Sequence, residues 1–224
     1  DHISKKFQDT YSLQKKYRSH PDYSLLTLDN FLPKDVVQKL ARELDDIPLE
    51  DCKHFTRAGS CMYEFNDCDK TPLQDELVHT LHSSTFIKWL QQVTDTVDLI
   101  PDPHLVGAGY MKSFAGDSLK IHTDFNWCEE LKLHRMLSVV IYLNDEWEEH
   151  WGRQLNFYDS KRNKLLTKVP IGAGNCVIWN YNNFAFHRYP EPMTCPEGKS
   201  RKGIMIFYYV SNAKHDDKHP PHRS

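Results

Sequence analysis

Apolar positions recur at helical spacing in parts of the first hundred residues, and the later part of the chain contains short apolar runs of strand length instead. Apolar side chains recur at helical spacing within the stretches 33–46 and 73–96, and the polar stretch 4–18 also has helical character. Pro33 suits a helix start because its missing N–H would have no partner in the first turn. The pattern predicts helices over these three stretches, with a break in the last one near Ser83 and Ser84.

From about residue 104 the chain changes to short runs rich in β-branched and aromatic residues, separated by turn residues. Helices followed by many short strands predict an α+β protein, an antiparallel sandwich or jelly roll buttressed by N-terminal helices. Residues 53–70, which contain Gly59, Asn66 and two aspartates among aromatic residues, are predicted to be a loop or an irregular hairpin. The predicted strands cover 105–114, 119–125, 136–143, 154–158, 176–179, 184–188 and 203–210.

Length and composition favour a single folded domain over 1–212, followed by a polar tail over 213–224. In this interpretation 1–100 forms mainly helical support and a substrate loop, and 101–212 forms the β core. Hydrophobic residues make up 39% of the 224 positions and the formal net charge is −3, which gives no electrostatic reason to expect nucleic acid. The longest apolar runs fall far short of the roughly 20 residues of a membrane helix, so no membrane partner is expected.

The six cysteines lie far apart, with no C-x-x-C pair that would indicate a zinc knuckle or a dense disulfide scaffold. Cys61 and Cys68 could pair across a loop. The alternative is six reduced thiols in a cytoplasmic protein, and cytoplasmic localisation is the expectation. No pattern in the sequence predicts an oligomeric state.

His122 and Asp124 form a His-x-Asp pair inside a predicted strand, where residues i and i+2 point to the same face. With His187 from a later strand they offer two imidazoles and one carboxylate. That donor set, with three positions left open, is typical of non-haem Fe(II) oxygenases, whereas a structural zinc site closes all four positions.

A His-x-Asp pair is weak evidence when it stands alone, and any single histidine on a strand can be an ordinary polar residue. The chain contains two further pairs of this kind, His20 with Asp22 and His215 with Asp217. One lies in a proline-containing turn and the other in the polar tail. Neither has a rigid element to fix ligand geometry, so context favours His122 and Asp124.

Several motifs from Gly109 to Val210 carry a family resemblance. They are Gly116-Asp-Ser-Leu-Lys-Ile-His-Thr-Asp124, Arg135-Met-Leu-Ser-Val-Val-Ile-Tyr-Leu-Asn144 with Trp147 shortly after, Gly152-Arg-Gln-Leu155, and Arg201 fourteen residues after His187. This region, nearly half the chain, resembles the prolyl 4-hydroxylase-like branch of the Fe(II)/2-oxoglutarate dioxygenases. The segment 28–33 also looks like the usual opening of this family.

The resemblance implies a double-stranded β-helix core with Fe(II) bound by His122, Asp124 and His187. It further implies 2-oxoglutarate as co-substrate, O2 as oxidant and ascorbate as a candidate reductant. Arg201 would bind the far carboxylate of 2-oxoglutarate through its planar fork of donors, with help from the Tyr142 hydroxyl. The alternatives are a solvent-facing strand-edge charge for Arg201 and a packing role for Tyr142.

Two positions depart from the family pattern. Phe114 stands where many members have a tyrosine near the glycine turn, and Tyr110 is a possible replacement for the missing hydroxyl. Arg153 stands where a second glycine is usual and is expected to add bulk and charge near the rim of the sandwich.

The carboxylate of Asp124 is the ligand that the related halogenases lack, so the resemblance implies a hydroxylase. Its first implied substrate is a prolyl residue in a peptide or protein; a free amino acid or other small metabolite is the alternative, and a non-catalytic cupin-like binding module is a third reading. The candidate substrate contacts are Tyr63, Arg57, Trp127, Trp151 and Arg153.

Overall fold

The structure is a computed structural model and describes residues 2–20, 22–55, 62–66, 70–183, 185–189 and 191–212. Its α-helices are α1 (His2–Lys6), α2 (Thr10–Tyr17), α3 (Lys34–Asp45), α4 (Pro72–His82) and α5 (Ser84–Thr94). Its strands are β1 (Leu25–Leu28), β2 (Lys53–Phe55), β3 (Met62–Phe65), β4 (Ile100–Pro101), β5 (Gly109–Ser113), β6 (Leu119–His122), β7 (Trp127–Cys128), β8 (Leu133–Tyr142), β9 (Leu155–Tyr158), β10 (Leu165–Val169), β11 (Cys176–Asn180), β12 (His187–Tyr189) and β13 (Arg201–Val210).

The predicted break between two helices is confirmed at Ser83. This residue ends α4 with extended backbone, and its hydroxyl accepts the N–H of Phe86 to cap α5. At the start of α4, Thr71 and Gln74 form a reciprocal capping box ahead of Pro72. Local side-chain chemistry therefore sets both boundaries, which is why they could be predicted from sequence.

The strands form two antiparallel sheets. In the large sheet the order is β1-β11-β8-β13-β5-β3-β2, with β4 paired to β13 and β7 paired to β8. The small sheet has the order β10-β9-β12-β6. Strands distant in sequence are neighbours in both sheets, and the helices pack on the large sheet. The predicted α+β class with a double-stranded β-helix core and N-terminal helical support is confirmed.

Alternation along β8 divides the interior into two cores. Leu137, Val139 and Ile141 pack with the helices, on what we call the helix face of the large sheet. Val140 and Tyr142 point to the opposite side, the site face, and pack with residues of the small sheet. One strand thus serves both a structural core and the space between the sheets.

A β-bulge interrupts this alternation near the start of β8. Leu137 pairs with Tyr208 and Arg135 pairs with Tyr209, so Met136 is an extra residue opposite β13. The extra residue reverses the parity of the residues that precede it. Arg135 therefore lies on the site face, although strict alternation from Leu137 would place it on the helix face.

Some predicted boundaries were wrong. The strand predicted over 105–114 begins only at Gly109, because Leu105 and Gly107 adopt positive φ in a preceding turn. The strand predicted over 119–125 ends at His122, so Asp124 lies in the loop that follows. The strands β1 and β10 were not predicted.

The predicted irregular hairpin over 53–70 is confirmed in part by β2 and β3, which pair antiparallel. Arg57, Cys61 and Cys68 fall outside the described residues, as does the tail over 213–224. Among the residues that are described, none of the helices has the length and apolar character needed to span a bilayer.

Candidate active site

His122 and His187 lie directly opposite one another on β6 and β12 of the small sheet, with ring centroids 4.4 Å apart. The Nδ1 atom of His122 lies 2.8 Å from the carbonyl oxygen of Lys120, and that of His187 lies 2.9 Å from the carbonyl oxygen of Ala185. A carbonyl can only accept, so in this arrangement each Nδ1 carries the proton. The Nε2 lone pair of each ring is then available to a metal ion.

Asp124 presents one oxygen to protein donors and the other to the histidines. Its Oδ2 atom accepts hydrogen bonds from Arg135 Nη2 at 2.9 Å and Trp179 Nε1 at 2.9 Å. The hydroxyl of Ser138 also lies 3.4 Å from Oδ2. Its Oδ1 atom lies 3.6 Å from His187 Nε2. The contacts on Oδ2 orient the carboxylate so that Oδ1 is the oxygen free to bind a metal.

One potential ligand atom from each of His122, Asp124 and His187 lies within 4.8 Å of the others. Two imidazoles and one carboxylate on one side of a small space match the donor set of a non-haem Fe(II) centre with open positions. The residues present therefore fit the metal that the sequence motifs imply.

Burial and neighbouring charges place Asp124 and His187 in the protonation states that metal binding requires. Burial would raise the pKa of Asp124, but Arg135 and the two histidines outweigh it and lower the pKa to about 2. Burial, reinforced by His122, lowers the pKa of His187 to about 4. At neutral pH Asp124 is a carboxylate and His187 is a neutral imidazole.

A second polar cluster lies on the site face at the end of β8 and the start of β13. Arg201 is 1% exposed, its guanidinium carbon lies 5.0 Å from the centre of the Tyr142 ring, and its Nη2 donates to the Tyr189 hydroxyl at 3.2 Å. Burial, partly offset by Arg201, raises the pKa of Tyr142 to about 12, so this phenol stays protonated.

Within the described part of the chain, Arg201 Nε and the Tyr142 hydroxyl are buried and have no hydrogen bond of standard geometry, although the Arg201 guanidinium lies close enough to the Tyr142 hydroxyl to influence its pKa. Buried donors normally have partners, so unused donors at a buried site indicate a missing acceptor. A carboxylate fits these groups because it accepts several charge-assisted hydrogen bonds at once. The cluster therefore suits the far carboxylate of 2-oxoglutarate.

Arg153 is buried and does not lie at the rim, where its position in the sequence motif predicted it. Its side chain is 1% exposed and forms an ion pair of 2.5 Å with Asp117, which is equally buried. Its guanidinium carbon lies 3.7 Å from the centre of the Tyr189 ring. Arg153 thus belongs to the same cluster as Arg201.

The proposed hydroxyl replacement, Tyr110, does not reach this cluster. Its hydroxyl donates to the carbonyl oxygen of Gln74 at 2.9 Å, so it is committed to α4 on the helix side of the large sheet. Phe114 packs edge-on against Tyr63 at 5.7 Å. The hydroxyl beside Arg201 comes instead from Tyr189, which the sequence interpretation did not select.

The remaining candidate substrate residues are dispersed. Trp127 is buried, packs edge-on against His134 at 4.8 Å and donates its indole N–H to Glu129. Trp151 lines a cavity of about 280 Å³ together with Trp147, and none of the three potential metal ligands lines that cavity. Tyr63 is half-buried near Phe114, while Arg57 lies outside the described residues.

Residues that sequence reasoning missed are those whose role depends on distant neighbours. Three of them contact Asp124, and two belong to the Arg201 cluster. The first set was visible only as part of a strand motif or an apolar run. In the second set, one residue was visible only as part of the glycine-turn motif and the other had no local signal. They are Arg135, Ser138, Trp179, Asp117 and Tyr189.

Comparison with known proteins agrees with this geometry. Residues 108–209, just under half of the chain, match the model of the 2OG-Fe(II) oxygenase superfamily. This span contains all three potential metal ligands and both clusters on the site face. A search of curated protein sequences gives no match.

Solved structures with low sequence identity share the fold. A prolyl-4-hydroxylase of Pseudomonas putida is 18% identical with a TM-score of 0.64, over 90% of this chain and 100% of its own. A Trichoplax adhaerens prolyl hydroxylase, solved with a hypoxia inducible factor peptide, is 15% identical with a TM-score of 0.56, over 92% and 93%.

A third structure binds a small molecule. HygX of Streptomyces hygroscopicus, solved with nickel, 2-oxoglutarate and hygromycin B, is 12% identical with a TM-score of 0.59, over 88% of this chain and 87% of its own. Sequence identities this low establish only the shared fold, whereas the family model matches the stretch of sequence that contains the site residues. Residues 108–209, which contain the candidate site, are thus similar in sequence to the 2OG-Fe(II) oxygenase superfamily, and the solved structures share the fold.

Proposed function

We propose that this protein hydroxylates an unactivated C–H bond, with a prolyl residue in a peptide or protein as the substrate. His122, Asp124 and His187 would hold Fe(II), and Arg201 with Tyr142 would bind the far carboxylate of 2-oxoglutarate. The observation that carries the proposal is the orientation of the three ligands. Each side chain has its other polar atom bound by the protein, which leaves two Nε2 atoms and one Oδ1 atom together.

The bound iron would supply the oxidation, in which the substrate C–H, O2 and 2-oxoglutarate give the hydroxylated product, succinate and carbon dioxide. The chain contributes orientation and the exclusion of water. His187 packs against the rings of Phe157 and Trp179, with centroids at 5.3 and 5.7 Å, and these two rings shield one side of the imidazole. Arg135 and Trp179 keep the Asp124 carboxylate from rotating, so the open positions face a fixed direction.

The peptide substrate is supported by fold similarity to two prolyl hydroxylases, one of them solved with a peptide. Tyr63 is retained as a candidate contact, because it packs against Phe114, which precedes the glycine turn. Trp127 and Trp151 are less suitable, since each packs against other protein groups or lines a separate cavity. Arg153 lies in the buried cluster around Arg201, where both guanidinium groups contact the ring of Tyr189.

A small-molecule substrate is the second candidate, because HygX has a comparable fold and was solved with hygromycin B. The two candidates differ in what should stimulate turnover. Proline-containing peptides should accelerate 2-oxoglutarate consumption if the substrate is a peptide. Free amino acids or other metabolites should do so if it is small.

The test is succinate formation from 2-oxoglutarate in the presence of Fe(II) and O2, with and without these additions. His187→Ala should abolish turnover because it removes a ligand, and Arg201→Ala should require far more 2-oxoglutarate. A matched control is His79→Ala, which alters an exposed histidine on α4 and should leave turnover unchanged. Turnover that survives in His187→Ala, or native protein that binds iron yet forms no succinate with any addition, would contradict the proposal.

A further inference from the structure

Arg153 brings a second positive charge into the buried cluster around Arg201. Both guanidinium groups lie against the ring of Tyr189, with their carbons 3.7 and 5.2 Å from its centre. Their exposures are 2% and 1%. Asp117 pairs with Arg153 at 2.5 Å, and Arg201 forms no ion pair with any described residue. Two buried cations therefore share one carboxylate, and a buried charge that is not compensated is costly.

The arginines of the cluster also have hydrogen-bond donors without acceptors. Arg153 Nε and Nη1, like Arg201 Nε, have no hydrogen-bond partner within the described ranges. Nη2 of Arg153 is the atom that contacts Asp117, and Ser113 Oγ lies 3.5 Å from it. A buried arginine with two unused donor atoms lacks an acceptor, and the surplus positive charge specifies that this acceptor is an anion.

The backbone at Arg153 is also unusual. Its φ is +68°, in the left-handed region that side-chain-bearing residues adopt uncommonly, and Gly152 before it has φ +81°. Glycine would adopt this conformation without strain. Backbone strain of this kind persists where the surroundings enforce it, and it concentrates at functional sites.

We propose that Arg153 is a second residue that binds the far carboxylate of 2-oxoglutarate, together with Arg201 and Tyr142. The inference rests on the proposed function and adds a specificity-determining residue to it. Asp117 holds one edge of the Arg153 guanidinium, which leaves Nε and Nη1 for the ligand. The added carboxylate brings the cluster of two cations and one anion to neutrality, so binding should depend strongly on that carboxylate.

The test measures binding, so it does not depend on turnover. The iron-loaded protein is titrated without oxygen, by calorimetry, with 2-oxoglutarate and with 2-oxopentanoate. The second acid has the same five-carbon chain and the same metal-binding end, but a methyl group replaces the far carboxylate. The ratio of the two affinities reports the recognition of that carboxylate in native protein, Arg153→Met and Arg201→Met, with Arg18→Met on the exposed end of α2 as a control.

We expect Arg153→Met to weaken 2-oxoglutarate binding about 10- to 100-fold, the effect of a lost hydrogen bond to a charged group, and to change 2-oxopentanoate binding by less than about 2-fold. Arg201→Met should behave in the same way. Equal weakening of both acids, or no change for either, would overturn the inference and leave Arg153 as a structural partner of Asp117.

The proposed function and the inference can fail separately. If native iron-loaded protein binds neither acid, the proposed function fails. If Arg201→Met loses the preference for 2-oxoglutarate but Arg153→Met keeps it, the function stands and the inference is wrong. Should Arg153→Met not fold, Arg153→Gly combined with Asp117→Asn removes the backbone strain and the unpaired carboxylate together, and the same loss of preference is expected.

Discussion

The two faces of the large sheet differ in what they bury. The helix face buries apolar side chains, and Leu137, Val139 and Ile141 on β8 are each 0% exposed. On the same strand, the site face presents Ser138 to Asp124 and Tyr142 to Arg201. Successive side chains of β8 therefore point alternately into an apolar core that stabilises the fold and into the space between the sheets that contains the candidate site.

The difference has an energetic consequence. Apolar burial on the helix face stabilises the fold without any partner of defined geometry. The site face buries the charges of Asp124 and Arg135, and each stabilises the fold only while the other is present. Substitutions on the helix face should therefore change stability alone, whereas those on the site face should change stability and ligand binding together.

The largest effect is expected for Arg135→Met, which leaves the Asp124 carboxylate without its buried cation. The loss of unfolding free energy should be about 3–5 kcal/mol in metal-free protein, the usual result of breaking a buried ion pair. Urea unfolding with and without a redox-inert divalent metal measures it, because the metal should offset part of the loss.

The control for Arg135 is the double variant Arg135→Met with Asp124→Asn, which leaves no unpaired charge. It should recover a large part of the lost stability while binding metal poorly. A loss below about 1 kcal/mol in the single variant would mean that Arg135 is not needed to hold Asp124.

The central strands of the large sheet and the candidate metal ligands could both be predicted from sequence, but for different reasons. Short runs rich in β-branched and aromatic residues over 136–143 and 203–210 predicted strands close to β8 and β13. The ligands followed from the His-x-Asp pair and a distant histidine in a family pattern, and the structure brings these three residues together. Both signals are local in sequence or depend on fixed motifs.

The partners of the ligands could not be predicted, because their positions depend on tertiary irregularities. The bulge at Met136 moves Arg135 to the site face, and strict alternation would have placed it among helix-facing residues. Tyr189 and Asp117 meet Arg153 and Arg201 only through the folding of separate strands and turns. The strand β1 was missed because four residues carry little periodicity, and its pairing with β11 defines it.

On the helix face, Ile141→Ala should lower the unfolding free energy by about 2–5 kcal/mol, because it leaves a cavity in a fully buried core. Metal affinity should remain within about 2-fold of native, since the side chain points away from Asp124. Urea unfolding and metal titration well below the midpoint measure both quantities. A fall in metal affinity comparable with that of a site-face variant would show that the two faces are coupled.

Ser138→Ala changes a residue of the same strand, β8, on the site face. It removes the 2.6 Å hydrogen bond from Arg135 Nη2 and the hydroxyl that lies near Asp124 Oδ2. The expected stability loss is about 1–2 kcal/mol, smaller than for Ile141→Ala, but metal affinity should fall about 10-fold because a group that orients the ligand is lost. An unchanged metal affinity would mean that Arg135 and Trp179 orient the Asp124 carboxylate without help from Ser138.

The smallest effect concerns a titratable group on the helix side, His82 at the end of α4. Burial chiefly lowers its pKa below the ordinary value of 6.5, with His79 adding to burial and Asp102 opposing it. Below about pH 6.5 the unfolded chain takes up a proton that the folded chain resists, so stability is retained above this pH and lost as the pH falls towards the folded pKa.

His82→Gln should remove this pH dependence of stability. The slope that it removes is at most about 1.4 kcal/mol per pH unit, the value for one full proton. The measurement is the unfolding free energy of the native protein and of the variant at about pH 7.5 and about pH 5.5. The native protein should lose more stability than the variant between these two values. A difference between the two proteins that stays constant, or that favours the native protein at about pH 5.5, would contradict the prediction. Because His82 lies on the helix side, its substitution should leave metal affinity at pH 7.5 unchanged, which again separates the two faces.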